Sequence, residues 1–89
     1  MLAPRVTLLG KPGCHLCDEA REVVLGVLAG FPGIVLEERS ILDDPDLLDR
    51  YVEEIPVILI EDRVHTIWRV DADRFRNALT AATPREASE

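Results

Sequence analysis

The sequence has few cysteines, no long apolar run and fewer basic than acidic residues, and each shortage excludes a class of protein. Only two of the 89 residues are cysteine, too few for a small secreted scaffold held together by several disulfides. No apolar run approaches the roughly 20 residues of a membrane-spanning helix. With 10 basic against 17 acidic residues the formal charge is −7, which disfavours binding to nucleic acid or to an anionic membrane surface.

The beginning of the chain also lacks the features of a targeting segment. Residues 1–5 show neither the basic start nor the apolar core of a signal peptide, so we expect a cytoplasmic protein. In a reducing compartment, two closely spaced cysteines are more often catalytic or metal-binding than structural. With no repeat or linker and a hydrophobic content of 47%, the sequence predicts a single domain over residues 1–89.

Both cysteines lie in one short motif, Cys14-His15-Leu16-Cys17, at the beginning of a predicted helix. An apolar segment over residues 5–9 precedes it and is predicted to be a short buried strand. The intervening Gly10-Lys11-Pro12-Gly13 is predicted to be a turn. A strand, a tight turn and a Cys-x-x-Cys motif at the start of a helix are typical of a thiol–disulfide redox site.

The position of the motif favours the ionised form of its first cysteine. Thiol–disulfide exchange requires a thiolate, and the amide groups and dipole at the beginning of a helix stabilise negative charge. Lys11 adds a positive charge nearby, whereas Asp18 and Glu19 in the first helical turn oppose the effect. We predict that Cys14 is the nucleophile and that Cys17, one turn further on the same side, is the resolving thiol.

The same residues allow other interpretations. A Cys-x-x-Cys pair is half of many zinc sites, but a structural site needs four ligands and only His15 and His65 are further candidates of the usual kind, so we predict no metal. Two inert core cysteines are an alternative that the preceding turn disfavours, since it places Cys14 at an exposed edge. His15 is interpreted as an exposed spacer rather than a proton shuttle. Leu16 is interpreted as a core or rim residue and Trp68 as packing at the sheet edge rather than a cover over the site.

The hydrophobic pattern predicts an α/β fold in the order β-α-β-α-β-β-α. The predicted elements are a strand over 5–9, a helix from Cys14 to Ala29, a strand from Ile34 to Glu38, a helix capped by Asp44 with Pro45 first, a strand from Val57 to Ile60, a strand from Val64 to Trp68, and a helix capped by Asp71. One face of the second helix is predicted to consist of Leu47, Leu48, Tyr51 and Val52. The predicted inward residues of the last helix are Phe75, Ala78, Leu79 and Ala82. The first two strands should be parallel and the last two should form a hairpin. A single mixed four-stranded sheet with helices on both faces follows, with residues 83–89 as a frayed tail.

Over roughly residues 5–82 the chain resembles the glutaredoxin-like proteins of the thioredoxin-fold superfamily. The resemblance is carried by Pro-Gly-Cys-His-Leu-Cys-Asp-Glu-Ala from Pro12 to Ala20, by the order of elements, and by Ile55-Pro56-Val57. It implies a thioredoxin-like fold and a redox-active disulfide. It also implies that Pro56 is cis and lies against that disulfide, with Ile55 and Val57 offering main-chain contacts to a bound thiol peptide.

The chain departs from the glutaredoxin pattern at two places. The small-residue pair that precedes the last helix and contacts glutathione is replaced by Trp68-Arg69-Val70, although Asp71 remains as a substrate-binding candidate. The Pro-Tyr pair between the cysteines is replaced by His15-Leu16, which we include among the substrate-binding candidates. The resemblance therefore implies glutathione as a candidate reductant and not as a bound cofactor.

The leading prediction is a thiol–disulfide oxidoreductase active in cell redox homeostasis and electron transport. It would reduce disulfides of proteins or small molecules, with electrons from glutathione or a thioredoxin-reductase-type donor. One alternative is a protein that holds an iron–sulfur cluster between two subunits with the help of glutathione. Another is a non-catalytic thioredoxin-fold interaction module. We expect a monomer that binds neither nucleic acid nor membrane.

Overall fold

The structure, a computed structural model, describes residues 4–82, which form four strands and three α-helices. The elements are β1 (Val6–Gly10), α1 (His15–Leu28), β2 (Leu36–Ser40), α2 (Pro45–Tyr51), β3 (Val57–Ile60), β4 (Arg63–Ile67) and α3 (Ala72–Ala82). A short 3-10 helix, Ile41–Asp43, leads from β2 towards α2. The predicted tail over residues 83–89 lies outside the described residues. None of the helices within residues 4–82 is long and apolar enough to cross a membrane.

The strands form one mixed sheet in the order β2-β1-β3-β4. β1 pairs in parallel with β2, as expected for two strands joined by a helix, and antiparallel with β3. β3 and β4 form the predicted hairpin. Their connection is the two-residue turn Glu61-Asp62, and both residues have positive φ (54° and 66°), as tight hairpin turns require. The predicted mixed four-stranded sheet is confirmed.

Helices cover both faces of the sheet, because alternate residues of the inner strands point to opposite sides. On one face Leu8 of β1 and Ile58 of β3 belong to a cluster with buried residues of α1 and α3. On the other face their neighbours Leu9 and Val57 pack with the fully buried Ile41, against which Leu47 and Tyr51 of α2 also pack. The predicted placement of helices on both faces is therefore confirmed.

The bounds of three predicted strands need correction. β1 runs from Val6 to Gly10 and not over residues 5–9, and β2 ends at Ser40 and not at Glu38, because Gly10 and Ser40 are the last pair of the two strands. β2 begins at Leu36 and not at Ile34, because Leu36 is the residue that pairs with Val6 of β1. Ile34 is buried, but its N–H donates to the carbonyl of Phe31 in a turn. β4 runs from Arg63 to Ile67 and not from Val64 to Trp68, because the two-residue turn places Arg63 directly opposite Ile60.

Some residues of the predicted helix faces are exposed. Leu48 and Val52 of the α2 region are exposed, so only part of the predicted face, Leu47 and Tyr51, packs against the core. Ala82 of α3 is also exposed, so its predicted inward position is wrong. α2 has only seven residues, and it covers the sheet with the narrow side that carries Leu47 and Tyr51. Phe75 and Leu79 of α3 are fully buried, as predicted.

Candidate functional site

The sulfur of Cys14 occupies the N-cap position of α1. Cys14 has extended backbone angles (φ −91°, ψ 110°), and its Sγ accepts a hydrogen bond from the backbone N–H of Cys17 at 3.2 Å. The carbonyl of Cys14 accepts the first helical bond from the N–H of Asp18 at 3.1 Å. Ser, Thr, Asp and Asn commonly provide this side-chain cap. A cysteine in the same position directs its sulfur at the unpaired amide groups of the helix end.

Cys14 and Cys17 form a disulfide with their Cα atoms 5.2 Å apart. The two sulfurs differ in access: Cys14 is partly exposed, whereas Cys17 is only 1% exposed. A thiol from a partner molecule can therefore reach Cys14 more easily than Cys17. This difference favours Cys14 as the nucleophile and Cys17 as the resolving thiol, and these roles stay predictions.

Gly10, at the end of β1, provides the space that the buried sulfur occupies. A Cβ atom on Gly10 would lie 2.8 Å from Sγ and 3.2 Å from Cβ of Cys17, closer than unbonded atoms of this kind approach. Gly13, just before the motif, has φ +77° and so turns the chain into α1 in a conformation that favours glycine. The sequence predicted the turn, but it did not predict that Gly10 is in contact with Cys17.

A cavity of about 260 Å³ lies beside Cys17, between the loop that follows β1 and the strand β2. Arg21 lines it and binds two carboxylates, Asp18 at 2.9 Å and Glu38 at 2.7 Å. These hydrogen bonds, the one to Asp18 foremost, raise the pKa of the Arg21 guanidinium. Because Arg21 compensates the charge of Asp18, the predicted opposition of Asp18 to a Cys14 thiolate is weakened. Lys11 is exposed and lines the same cavity.

The segment Ile55-Pro56-Val57 lies at the same end of the sheet as the cysteine motif. Val57 pairs with Leu9, so the residues that precede β3 lie beside the end of β1, from which the loop leads to Cys14. The peptide bond between Ile55 and Pro56 is cis. Pro56 and Val57 are buried and Ile55 is partly exposed.

Three further predicted site residues differ in their exposure and contacts. His15 is 86% exposed and its Nε2 lies 3.1 Å from a carboxylate oxygen of Glu19, which agrees with an exposed spacer. Leu16 is 37% exposed and therefore a rim residue rather than a core residue. The Asp71 carboxylate accepts a hydrogen bond from the N–H of Arg74 at 3.0 Å, so it caps α3 as predicted, and its substrate contact stays a prediction.

Trp68 directly follows the edge strand β4 and is 52% exposed, so its interpretation as sheet-edge packing stays a prediction. Its φ of 69° turns the chain out of β4 directly after Ile67. The indole Nε1 donates to the carbonyl of Glu53 at 3.1 Å, and the backbone N–H donates to the carbonyl of Pro56 at 2.8 Å. Trp68 is thus tied to the segment next to the cysteines, which sequence reasoning missed.

The residues considered for a zinc site do not come together in the described part of the chain. Within residues 4–82 no three potential ligands among His, Cys, Asp and Glu form a group that could hold an ion. His65 lies on β4, and the centroid of its ring is 5.7 Å from the centroid of the Phe75 ring. Burial, with a contribution from the nearby Arg74 charge, lowers the pKa of His65.

The sequence model of the Glutaredoxin-like domain (DUF836) matches residues 5–80 of the chain. An uncharacterized protein of Mycobacterium tuberculosis is 29% identical over 87 residues, which cover 93% of this chain and 90% of that protein. The crystal structure of target protein XcR50 from X. campestris is 33% identical, with a TM-score of 0.69, and the match covers 89% of this chain and 99% of that one.

Two further solved structures are similar in fold. The solution structure of protein Ne2328 from Nitrosomonas europaea is 26% identical, with a TM-score of 0.71 and coverage of 94% and 95% of the two chains. A thioredoxin variant from Halobacterium salinarum is 16% identical, with a TM-score of 0.65, over 94% of this chain and 78% of that one. At that identity the similarity shows the fold alone, which is thioredoxin-like.

Proposed function

This chain belongs to the glutaredoxin-like domain family, and on that premise we propose that it is a thiol–disulfide oxidoreductase. The observation that carries the proposal is the disulfide between Cys14 and Cys17 at the N-terminus of α1. A partly exposed sulfur that caps a helix has the surroundings of a reactive cysteine, whereas a structural cysteine is enclosed by apolar groups.

The reaction starts from the reduced pair. The Cys14 thiolate attacks one sulfur of a substrate disulfide, a bond forms between the two sulfurs, and the other substrate sulfur leaves as a thiolate that takes up a proton. The N–H of Cys17, which donates to Cys14 Sγ, and the positive end of α1 stabilise the attacking thiolate before this step. Lys11 contributes a further positive charge from the adjoining loop.

Cys17 completes the exchange. Its thiol loses a proton and attacks Cys14 Sγ in the mixed disulfide, which forms the Cys14–Cys17 bond and releases the second substrate thiol. Two electrons have then passed from the protein to the substrate. The oxidised protein needs two electrons and two protons from a thiol donor, either glutathione or a dithiol enzyme of the thioredoxin-reductase type.

Residues around the motif position the substrate in this proposal. Val57 is paired on both sides, with Leu9 and with Ile67, so the main-chain contact to a bound thiol peptide falls mainly on Ile55, ahead of the strand. His15 and Leu16 border Cys14 from the helix side. The helix end capped by Asp71 is a further contact for the substrate.

Replacement of each cysteine by serine tests the proposal. Cys14→Ser should reduce disulfide turnover to the rate of buffer, because the attacking sulfur is gone. Cys17→Ser should keep the first attack and accumulate a mixed disulfide that mass spectrometry detects. Circular dichroism of both variants controls for folding.

Undiminished turnover by Cys14→Ser would remove the proposal. A Cys14 thiol that titrates near the ordinary value of about 8.5 and resists alkylation would favour the non-catalytic interaction module.

The electron donor can be assigned in a separate measurement. The oxidised protein is offered glutathione in one reaction and a thioredoxin reductase with its nicotinamide cofactor in another. The appearance of free Cys14 and Cys17 thiols is followed by alkylation and mass spectrometry. The faster of the two reactions identifies the class of donor.

A further inference from the structure

We propose that Trp68 and Leu16 form a groove that selects polypeptide disulfides with a large apolar side chain next to the reacting cysteine. This inference rests on the proposed function and names its substrate class. It makes Trp68 a specificity-determining residue that takes no part in the exchange of sulfurs.

Trp68 is presented to solvent by a constrained backbone. A positive φ is uncommon for a bulky side chain, and Trp68 has φ 69°. Two hydrogen bonds fix the residue, from its backbone N–H to Pro56 and from its indole N–H to Glu53. Half of the residue nevertheless stays exposed. Residues held in such sparsely populated conformations cluster at active sites and ligand-binding segments. An aromatic ring whose N–H is already bonded offers a rigid apolar surface.

The groove lies between α1 and the segment that leads from β4 to α3. Leu16 and Val23 line it on the helix side, and Trp68 and Val70 line it on the other, with Glu19 and Arg69 as polar residues. We call this the Trp68 groove. Its volume of about 250 Å³ is below the range of about 300–1,000 Å³ for small-molecule pockets. It therefore suits one or two side chains of a longer ligand.

The Trp68 groove lies at the same end of the sheet as the redox site. Leu16 lies two residues after Cys14, in the first turn of α1. Trp68 is bonded to Pro56, which lies at the end of the sheet where the cysteine loop begins. A polypeptide whose cysteine is bonded to Cys14 can therefore place an adjacent side chain between Leu16 and Trp68.

Charge and side-chain chemistry favour a polypeptide over glutathione as the occupant. Glutathione has no apolar side chain to fill the groove, and it carries two carboxylates. The groove has one cation, Arg69, and one carboxylate, Glu19, while Glu53 and Glu54 are exposed on the segment that anchors Trp68. The formal charge of the chain is −7. A cationic peptide with apolar residues beside its cysteine matches these features.

The test compares three disulfides in single turnovers of the pre-reduced protein. They are the disulfide dimers of the peptides Lys-Phe-Cys-Phe-Lys and Lys-Gly-Cys-Gly-Lys, with blocked ends, and oxidised glutathione. In each reaction the protein dithiol is oxidised to the Cys14–Cys17 disulfide, and the substrate disulfide is reduced to two thiols. Acid quenching and chromatography give the second-order rate constants.

We expect the phenylalanine peptide to react about tenfold faster than the glycine peptide, since burying a large apolar side chain on this scale is worth a factor of ten or more. Trp68→Gly should abolish the difference, because glycine accepts the positive φ of this position and only the side chain is lost. Leu25→Ala removes a half-exposed apolar side chain elsewhere on α1 and should keep the difference.

A binding measurement keeps the test valid if Trp68→Gly does not fold. Trp68 is the only tryptophan of the protein, so its fluorescence reports on the groove. The oxidised wild type is titrated with the two peptides carrying S-methylated cysteine, which cannot exchange. The phenylalanine peptide should shift the emission to shorter wavelength, and the glycine peptide and glutathione should not.

The outcomes separate this inference from the proposed function. Equal rate constants for the two peptides, or a faster reaction with oxidised glutathione, would overturn the inference and leave the oxidoreductase proposal intact. A preference for phenylalanine that persists in Trp68→Gly would also overturn it. Failure of the wild type to reduce all three disulfides would overturn both.

Discussion

At the scale of single residues, the contact between Gly10 and Cys17 links the sheet to the Cys14–Cys17 disulfide. Gly10 is the last residue of β1, and the buried Cys17 sulfur fills the space that a side chain there would need. The contact fixes Cys17 against the central part of the sheet while Cys14 stays accessible. The placement of the cysteine pair therefore depends on a residue that has no side-chain chemistry of its own.

We predict that Gly10→Ala destabilises the protein by about 1–3 kcal/mol, the usual cost of overpacking a core. The added Cβ would lie 2.8 Å from Cys17 Sγ, and the buried sulfur or the strand must shift. Urea unfolding of the oxidised protein measures the effect. Gly26→Ala is the matched control, because nothing lies within 4 Å of its Cβ and alanine in a helix interior stabilises by about 0.5–1 kcal/mol. A Gly10→Ala variant as stable as the wild type would contradict the role assigned to Gly10.

The site residues differ in how far the sequence could predict them. Cys14 and Cys17 were predictable because their spacing and the adjoining helix are local features of the chain. The contact of Gly10 and the exposure of Trp68 were not, because they depend on segments that meet only after folding. Trp68 is held by Glu53 and Pro56, residues of another part of the chain, and its positive φ has no sequence signal of the kind that glycine gives.

At the scale of the elements, helix ends were predicted better than strand ends. Asp44 and Pro45 define the beginning of α2 in the structure as in the sequence, since capping is decided by a few adjacent residues. The beginning of β2 was placed two residues early, at Ile34, because β-branched residues resemble a strand wherever they occur. Pairing with β1 sets the actual boundary, and a single strand carries no information about its partner.

The cap of α2 provides a test at this scale. The Asp44 carboxylate accepts a hydrogen bond from the N–H of Asp46 at 2.9 Å, so Asp44→Ala should destabilise the protein by about 1 kcal/mol. The midpoint of urea denaturation measures the loss. Asp49→Ala, an exposed position within the same helix, removes an equal charge and should leave stability unchanged or raised, because alanine is the better helix former. Equal losses in both variants would assign the effect to charge and not to capping.

At the scale of the whole molecule, two helical layers share one sheet. The topology followed from chain order, because a helix between two strands makes them parallel and a two-residue turn makes them antiparallel. The position of β3 at the centre was consistent with its continuous apolar sequence. The spatial order β2-β1-β3-β4 itself required the structure.

The stability of the whole molecule should depend on pH partly through His65. Burial, and to a lesser extent the charge of Arg74, lowers the pKa of His65 in the folded state, so the unfolded state binds its proton at a higher pH. Neutral His65 therefore contributes its full stabilisation of the folded state at pH values above the pKa of histidine in the unfolded chain, about 6.5. This stabilisation is lost as the pH falls below that pKa, because the unfolded state takes up the proton first. His65→Gln should lose less stability than the wild type between about pH 7.5 and about pH 5.5 in urea denaturation.

The other histidine of the chain is the control for this experiment. The side chain of His15 is 86% exposed, so His15→Gln shows the effect of replacing a histidine that does not pack in the core. Carboxylates also make the free energy of unfolding depend on pH. All three proteins have the same carboxylates, so the comparison of the variants isolates the contribution of the histidines. An identical pH dependence for His65→Gln and the wild type would show that His65 does not contribute.

The borders of the sheet have a consequence for behaviour at high concentration. β2 forms one border and places Glu37, Glu38 and Arg39 in succession. β4 forms the other border, and its pairing with β3 is irregular, because the register shifts between Ile58 and Leu59 of β3. Charged side chains and irregular pairing both hinder the addition of a further strand to an open edge. The unpaired backbone groups at these borders are therefore poor templates for amyloid, and the protein should resist fibril growth even when crowded.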